Sequence, residues 1–190
     1  AKFSDFAAVC TLCGPGDEVI VPAPYWVSYP EMIKACGATM VVLPCSAENN
    51  YEPDLAELEK AVTPRTKLLI LNSPSNPTGA VYRTSTIEKI AEIALKHNFM
   101  VLSDEIYEKL VYDPEFQHKS IASVSPEMNE LTITVNGFSK AYSMPGWRLG
   151  YLTAPKWLAQ RISAFQSHVT SNPTSFVQYG GIAALTGPQE

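Results

Sequence analysis

Three polar side chains follow three apolar runs of this sequence, close to the point where each run ends. Asn76 lies in the loop after KLLIL, Asp104 comes directly after FMVLS, and Lys140 is the fifth residue after LTITV. An amide can donate hydrogen bonds, a carboxylate can hold a protonated nitrogen, and a lysine amine can attack a carbonyl to form a Schiff base. These residue types suggest covalent chemistry on a carbonyl compound, provided that the fold brings them together.

The spacing of the three residues fits strands of one parallel sheet. Asn76 and Asp104 are 28 residues apart, and Asp104 and Lys140 are 36 apart. A strand–helix–strand crossover takes roughly 30 residues, so each interval is long enough for one. Ligands of such sheets bind at the carboxyl ends of the strands. We therefore expect the amide, the carboxylate and the lysine at one edge of a sheet.

Lys140 is the only charged residue between Glu130 and Arg148. A lone lysine is most often a solvated surface residue. Small and apolar neighbours at the end of a strand would instead desolvate the ammonium group and favour the free amine, which is the nucleophilic form. The neighbourhood of Lys140 therefore makes a catalytic lysine a hypothesis beside the ordinary surface one.

Apolar runs alternate with helical patterns along the whole chain. The runs are continuous rather than alternating, which is typical of strands buried on both faces. We predict an α/β fold, with a mainly parallel sheet and helices on both faces. The predicted strands are 18–21, 39–43, 67–71, 99–103, 131–135 and 148–153, and the predicted helices are 5–12, 26–35, 53–62, 84–97, 155–169 and 175–185. Residues 107–130 are expected to be irregular because of Pro114 and Pro126.

Composition narrows the class of protein. The chain has 190 residues and a formal net charge of −5, which argues against nucleic acid or an anionic membrane as partner. No apolar run approaches the roughly 20 residues that span a bilayer. The four cysteines have apolar surroundings and no second pair at zinc spacing, so we expect reduced thiols, no metal site and a cytoplasmic protein. The ends read as cuts through a longer protein.

Four segments resemble the class I aminotransferases of pyridoxal-5'-phosphate (PLP) fold type I. They occur in the order of that family and with compatible spacing, and the resemblance covers essentially the whole chain. It implies that residues 1–190 form an incomplete PLP-binding large domain, with the N-terminal arm and the C-terminal small domain outside this sequence. The segments are PYWVSYP at 24–30, SPSNPTG at 73–79, SDEIY at 103–107 and SKAYSMPGWRLG at 139–150.

The resemblance implies roles around the cofactor ring. Lys140 would hold the cofactor aldehyde covalently and later shuttle a proton. Asp104 would keep the ring nitrogen protonated, so that the ring draws off negative charge. Asn76 and Tyr107 would donate hydrogen bonds to the phenolic oxygen of the cofactor.

Trp26 would stack on the ring, although the adjacent Tyr25 is an alternative. Outside this family context, Trp26 would be an ordinary core aromatic and Asn76 a turn residue before proline. The Asp104–Glu105 pair would then be an acidic helix start.

The same resemblance places the cofactor phosphate. Ser139 and Arg148 would bind it, with Arg148 folded back by the turn at Pro145-Gly146. Ala1 and Lys2 would be the end of a phosphate loop whose backbone N–H groups cap a helix. Pro145 departs from the family pattern, which commonly has threonine there, and a stiffer turn is expected.

The implied reaction is transfer of an amino group between an amino acid, with aspartate favoured, and a 2-oxo acid such as 2-oxoglutarate. The implied assembly is a homodimer. The arginine that binds the substrate α-carboxylate would lie beyond the end of this sequence. The alternatives are a PLP-dependent lyase or synthase and the PLP-binding effector domain of a transcription regulator. No Gly-x-Gly-x-x-Gly follows a strand, so a dinucleotide site is not expected.

Overall fold

A computed structural model describes residues 1–189 of the chain, and Glu190, the last residue of the predicted domain, lies outside them. The strands are β1 (Glu18–Ala23), β2 (Thr39–Pro44), β3 (Thr66–Asn72), β4 (Met100–Asp104), β5 (Thr132–Gly137) and β6 (Gly150–Thr153). The helices are α1 (Lys2–Leu12), α2 (Ser28–Ala35), α3 (Leu55–Ala61), α4 (Thr84–His97), α5 (Pro126–Glu130), α6 (Lys156–Val169) and α7 (Ser175–Thr186). Short 3-10 turns occur at Ala47–Asn49, Ile121–Ser123 and Pro145–Trp147.

All six strands form one sheet in the order β2-β1-β3-β4-β5-β6. The first five are parallel and β6 runs antiparallel to β5, which confirms the predicted mainly parallel α/β fold. The chain leaves β1 on one side to form β2 and returns on the other side to form β3. The carboxyl ends of β1 and β3 therefore flank a topological switch point, where ligands of such sheets bind.

Two apolar clusters cover the two faces of the sheet. One contains Val19, Leu68 and Leu102 under α1, α2 and α6. The other contains Ile20 and Leu69 under α3, α4 and α5. Neighbouring residues of one strand thus point to opposite cores, as burial on both faces requires, and each fully buried Leu or Ile contributes about 1.5–3 kcal/mol. The edge strand β2 is an exception to the predicted burial, since Val42 is exposed.

Capping residues explain where two helices differ from prediction. The side chain of Asp54 accepts from two backbone N–H groups and caps α3, so Pro53 lies before the helix and not in its first turn. Within the stretch expected to be irregular, Ser125 caps α5 by accepting from the Met128 N–H group at 3.1 Å. Pro126 starts that helix rather than breaking one, because proline is tolerated in the first turn.

Two boundaries near the carboxyl edge also differ from prediction. The second helix starts at Ser28 rather than at Trp26, which leaves Trp26 in the turn after β1. The last strand starts at Gly150 rather than at Arg148, because Arg148 has a left-handed backbone with φ of 52°. Both shifts leave a predicted site residue in a turn at the sheet edge. Among the described residues, no helix is long and apolar enough to cross a membrane.

The four thiols are free, as predicted, but only Cys13 is buried. Burial raises the pKa of the Cys13 thiol to about 12 and that of the Cys10 thiol to about 11. These thiols are therefore protonated packing groups and poor nucleophiles at neutral pH. Cys36 and Cys45 are half-buried.

Candidate active site

A cavity of about 230 Å³ opens at the carboxyl edge of the sheet. The loops after β1, β3, β4 and β5 contribute to its wall, together with the start of α1. All nine residues that the sequence singled out line it: Ala1, Lys2, Trp26, Asn76, Asp104, Tyr107, Ser139, Lys140 and Arg148. The expected meeting of an amide, a carboxylate and a lysine at one sheet edge is thus present.

Asp104 is the last residue of β4, and only 3% of it is exposed. Its Oδ2 accepts a hydrogen bond from the Tyr29 hydroxyl at 2.8 Å, and its Oδ1 accepts from the Ile106 N–H group at 3.2 Å. Burial raises the pKa of this carboxyl, and the two donated hydrogen bonds oppose that rise because they favour the anion. Asp104 is therefore a carboxylate shielded from water whose charge is held by two donors.

Glu105, the neighbour of Asp104, does not line the cavity. It accepts from the Ser103 hydroxyl at 2.9 Å and pairs with His118 at 3.1 Å. The two adjacent carboxylates thus have different surroundings, and only Asp104 faces the cavity. The contact of His118 is with Glu105.

A short hydrogen-bonded chain links the loop after β3 to Asp104. The side chain of Asn72 donates to the Asp104 carbonyl at 2.9 Å and accepts from the Asn76 N–H group at 2.8 Å. The Asn76 amide in turn lies 3.4 Å from the Tyr107 hydroxyl. Asn72 therefore fixes the loop that carries Asn76, and it places an amide and a phenol side by side.

Asn72, Tyr29 and Asp5 line the cavity but were not singled out in the sequence. The signal for Asn72 was available, since it is a polar residue at the end of an apolar strand and pairs with Asp104 in register. Tyr29 lies one helical turn after Trp26, on a face that only the packing of α2 reveals. Asp5 falls in the middle of an apolar helical pattern.

Lys140 lies in the turn after β5, with its ammonium group 5.6 Å from the centre of the Tyr107 ring. Its side chain is exposed. The expectation of a desolvated lysine is therefore wrong for this chain. The apolar neighbours Phe138 and Leu149 turn into the adjacent core cluster and leave the lysine at the mouth of the cavity.

Trp26 lies between two contacts that fix its ring. The Lys2 ammonium group is 4.7 Å from the ring centre, and the Tyr29 ring meets it edge-on with centroids 5.4 Å apart. Both contacts are favourable for an indole. Trp26 lines the main cavity, whereas Tyr25 lines a separate small cavity. Of the two aromatic candidates, Trp26 is the one placed to face a ligand in the main cavity.

The part of the cavity wall formed by the start of α1 and the turn of Arg148 carries positively charged groups. Lys2 starts α1, and the N-terminus of a helix presents unpaired N–H groups and a positive dipole end. Arg148 projects from the turn after Pro145, and its Nη1 donates to the Pro145 carbonyl at 2.7 Å. Ser139 lies beside them on the cavity wall. This part of the wall is therefore suited to an anion, while the Asp104 carboxylate is suited to a cation.

Two glycines of α7 fix the turn that carries Arg148. A Cβ atom on Gly180 would collide with the Trp147 ring, and one on Gly181 would collide with Leu149. Trp147 and Leu149 flank Arg148 on both sides, so α7 packs directly against the turn. The Gly180-Gly181 pair is needed for this approach, because any side chain there would push the turn away.

Known proteins resemble this chain over its full extent. The family model described as aminotransferase class I and II matches residues 3–190. The chain is 46% identical over 190 residues to an aspartate aminotransferase of Geobacillus stearothermophilus, covering 48% of that protein. It is 50% identical over 186 residues to a bifunctional aspartate aminotransferase and glutamate/aspartate-prephenate aminotransferase of Petunia hybrida, covering 38% of it.

The similarity extends to solved structures. An aspartate aminotransferase of Thermus thermophilus, solved with maleate, superposes with a TM-score of 0.93 at 43% identity. The superposition covers 97% of this chain and 47% of the other. The chain thus spans about half the length of the relatives it matches.

The hydrogen bond from Tyr29 to Asp104 gives a prediction about pH. Tyr29→Phe removes a donor to a buried carboxylate, so the pKa of Asp104 should rise further. A carboxyl whose pKa is raised on folding destabilises the fold as pH increases above about 4, where the unfolded carboxyl ionises. The variant should therefore lose about 1.5–3 kcal/mol at pH 7.5 and less at pH 4.5. Urea unfolding at both pH values measures this.

Tyr112→Phe is the matched control, because Tyr112 is 86% exposed. Tyr112→Phe should leave the free energy of unfolding unchanged at both pH values. Equal destabilisation by Tyr29→Phe at both pH values would mean that the hydroxyl supports packing but not the charge on Asp104.

Proposed function

The chain belongs to the class I and II aminotransferase family, and from that premise we propose that it forms most of the PLP-binding large domain of an aminotransferase. The observation that carries the proposal is the distribution of charge in the cavity. The cavity wall holds the buried carboxylate of Asp104, the cationic side chains of Lys2 and Arg148 with the start of α1, and the exposed Lys140.

The residues present fit this cofactor. Asp104 would hold the protonated ring nitrogen, since its carboxylate is buried and its charge is supported by two donors. The N–H groups at the start of α1, with Ser139 and Arg148, would bind the phosphate dianion. Asn76 and Tyr107 would donate to the phenolic oxygen from positions 3.4 Å apart.

The proposed mechanism assigns chemistry to the side chains of this chain. When bound, the cofactor would supply an aldehyde that accepts the amino group and a ring that draws off negative charge. Lys140 would bind it covalently through its amine, and the free amine would then move a proton at the substrate Cα. Exposure at the cavity mouth gives the lysine side chain the freedom that both tasks require. Asp104 would stay paired with the protonated ring nitrogen throughout.

We propose aspartate and 2-oxoglutarate as the substrate pair. The names of the similar proteins support aspartate as the amino acid. The names that include prephenate make a related oxo acid the alternative substrate. They give no support to a lyase or to a regulator domain. The cytoplasm is the proposed location, which rests on the unpaired cysteines among the described residues.

Lys140 gives the most direct test of cofactor attachment. The full-length protein should be yellow as purified, and borohydride should attach the cofactor irreversibly to one peptide that contains Lys140. Lys140→Ala should abolish the attachment, while Lys109→Ala, at an exposed lysine of the same edge, should leave it intact. Peptide mass spectrometry after reduction measures this. Cofactor on a different lysine would contradict the assignment.

We also propose that the full-length protein is a homodimer. One face of α7 is apolar and open: Phe176, Tyr179 and Ile182 are 70%, 75% and 57% exposed and follow one another at helical spacing. Exposed patches of this kind mark interfaces more often than free surface. The opposite face of α7 packs against the turn of Arg148. A dimer interface on the apolar face of α7 would therefore also hold that turn, and with it the proposed phosphate-binding residue, in place.

The dimer is tested by charge placed on this face. Tyr179→Asp should weaken the dimer at least tenfold in its dissociation constant, because a buried unpaired carboxylate costs several kcal/mol. Gln178→Glu adds the same charge one residue away and serves as control. Analytical ultracentrifugation of the full-length proteins measures the change. A wild type that stays monomeric at micromolar concentration would rule out the dimer.

A further inference from the structure

Asp5 is a second carboxyl group in the cavity. It lies in the first turn of α1, and only 1% of it is exposed. It lines the same cavity as Asp104, and neither of its carboxyl oxygens has a hydrogen-bond partner among residues 1–189. Buried polar groups are nearly always hydrogen-bonded, so an unpartnered carboxyl aimed into a ligand cavity calls for a functional explanation.

The two carboxyls differ in their donors. Asp104 accepts from the Tyr29 hydroxyl and the Ile106 N–H group, which favour its anion. Asp5 has no donor to favour an anion. When two buried carboxyls share a site and hold one proton, the proton belongs on the member without donors. Asp104 is then the negative member of the pair and Asp5 the neutral one.

The groups around Asp5 act in the same direction. Burial raises the pKa of Asp5 well above its ordinary value, and the negative charge of Asp104 on β4 adds to the rise. Helix α2 lines the cavity with Tyr29, whose hydroxyl is uncharged, while its charged residues Glu31 and Lys34 are exposed.

The remaining elements packed against α1 do not change this balance. The titratable side chains of α6 (Lys156, Arg161 and His168) are exposed, β6 offers the exposed Tyr151, and β5 has no titratable residue. The cations Lys2, Lys140 and Arg148 also line the cavity, but their side chains are exposed. After burial, the negative charge of Asp104 is therefore the main influence that raises the pKa of Asp5.

We propose that Asp5 is a proton-holding member of the cofactor site, which keeps the proton of the Asp5–Asp104 pair in the empty cavity and releases it when Asp104 holds a cationic ring nitrogen. The proposal rests on the proposed function, since it takes a ligand with a basic ring nitrogen as the cation. The reason is electrostatic. A cation at Asp104 cancels the negative charge that keeps Asp5 protonated and adds an attraction for the Asp5 anion.

The protons balance simply. The O–H bond of Asp5 breaks, and the proton goes either to the ring nitrogen, where an N–H bond forms, or to solvent. In both cases the wild type takes up one proton fewer from solution per ligand bound than a variant that cannot ionise at position 5. Asp5→Asn is that variant, because it keeps the shape and removes the proton.

The first experiment uses the full-length protein without cofactor. Urea unfolding between pH 5 and 8 compares wild type, Asp5→Asn and Asp113→Asn, whose side chain is exposed. Unfolded Asp5 ionises above about pH 4, whereas folded Asp5 stays protonated. The unfolding constant of the wild type relative to Asp5→Asn should therefore rise with pH, by up to about tenfold per pH unit as long as folded Asp5 is protonated and unfolded Asp5 is ionised. Asp113→Asn should follow the wild type. If the unfolding constants of wild type and Asp5→Asn change with pH in parallel, folded Asp5 is not protonated and the proposal is overturned.

The second experiment counts protons during cofactor binding. Calorimetric titration with PLP near pH 7.5, in buffers of different ionisation enthalpy, gives the protons taken up per PLP bound. Uptake by Asp5→Asn should exceed that by the wild type by close to one, and Asp113→Asn should match the wild type. Asp5→Leu replaces Asp5→Asn if the latter does not fold.

The outcomes separate the two proposals. Equal uptake by wild type and Asp5→Asn, with PLP bound by both, overturns the release step and leaves the proposed function standing. Failure of the wild type to bind PLP contradicts the proposed function and the release step together. In that case the pH profiles of the cofactor-free protein still decide which carboxyl carries the proton.

Discussion

The site depends on keeping a carboxylate ionised where water cannot reach it. Asp104 ends a central parallel strand, so it is buried on both faces of the sheet and open only toward the cavity. Burial raises the pKa of Asp104, and the hydrogen bonds from Tyr29 and Ile106 oppose that rise. Each donor comes from a different part of the fold, since Tyr29 lies on α2 and Ile106 in the loop after β4. The charge is thus a property of the assembled fold, and a ligand that brings a positive nitrogen to Asp104 completes the balance.

The other parts of the cavity follow from the same sheet edge. Asn72 pairs with Asp104 in register and holds the loop of Asn76, which follows β3, beside the loop of Tyr107, which follows β4. The start of α1 and the turn of Arg148 form a positive region, and α7 packs against that turn through two glycines. The cavity wall therefore carries groups of both charges. Such an arrangement orients a ligand that has a cationic ring and an anionic group, which is why it supports PLP.

Some of this could be predicted from the sequence. Continuous apolar runs at crossover spacing predicted the parallel sheet, and the spacing of Asn76, Asp104 and Lys140 placed them at one edge. Local patterns suffice there because strand period and crossover length fix where each strand ends. The family resemblance then added Trp26 and the phosphate end, and all of these residues line one cavity.

Features that depend on three-dimensional packing could not be predicted. Tyr29 and Asp5 lie on helix faces whose orientation is set by contacts between α1, α2 and the sheet, so their sequence patterns read as ordinary core. The exposure of Lys140 does not follow from its apolar neighbours, because these side chains pack into the adjacent core cluster and do not surround the lysine. The left-handed backbone of Arg148 is imposed by its turn, and no local propensity favours it for arginine.

Asp104 and Arg148 are proposed to contact opposite ends of one cofactor, and two variants of the full-length protein distinguish their roles. PLP dissociation constants and single-turnover rates are measured for Asp104→Ala and Arg148→Ala. Asp104→Ala should bind PLP only modestly more weakly and lose several tenfold factors in the proton-transfer rate, each worth 1.36 kcal/mol, because the ring loses its protonated nitrogen. Arg148→Ala should lose affinity first and retain most of its rate at saturating PLP, because a phosphate contact is the same in ground and transition states. If Arg148→Ala loses only rate while Asp104→Ala loses only affinity, the proposed orientation of the cofactor is reversed.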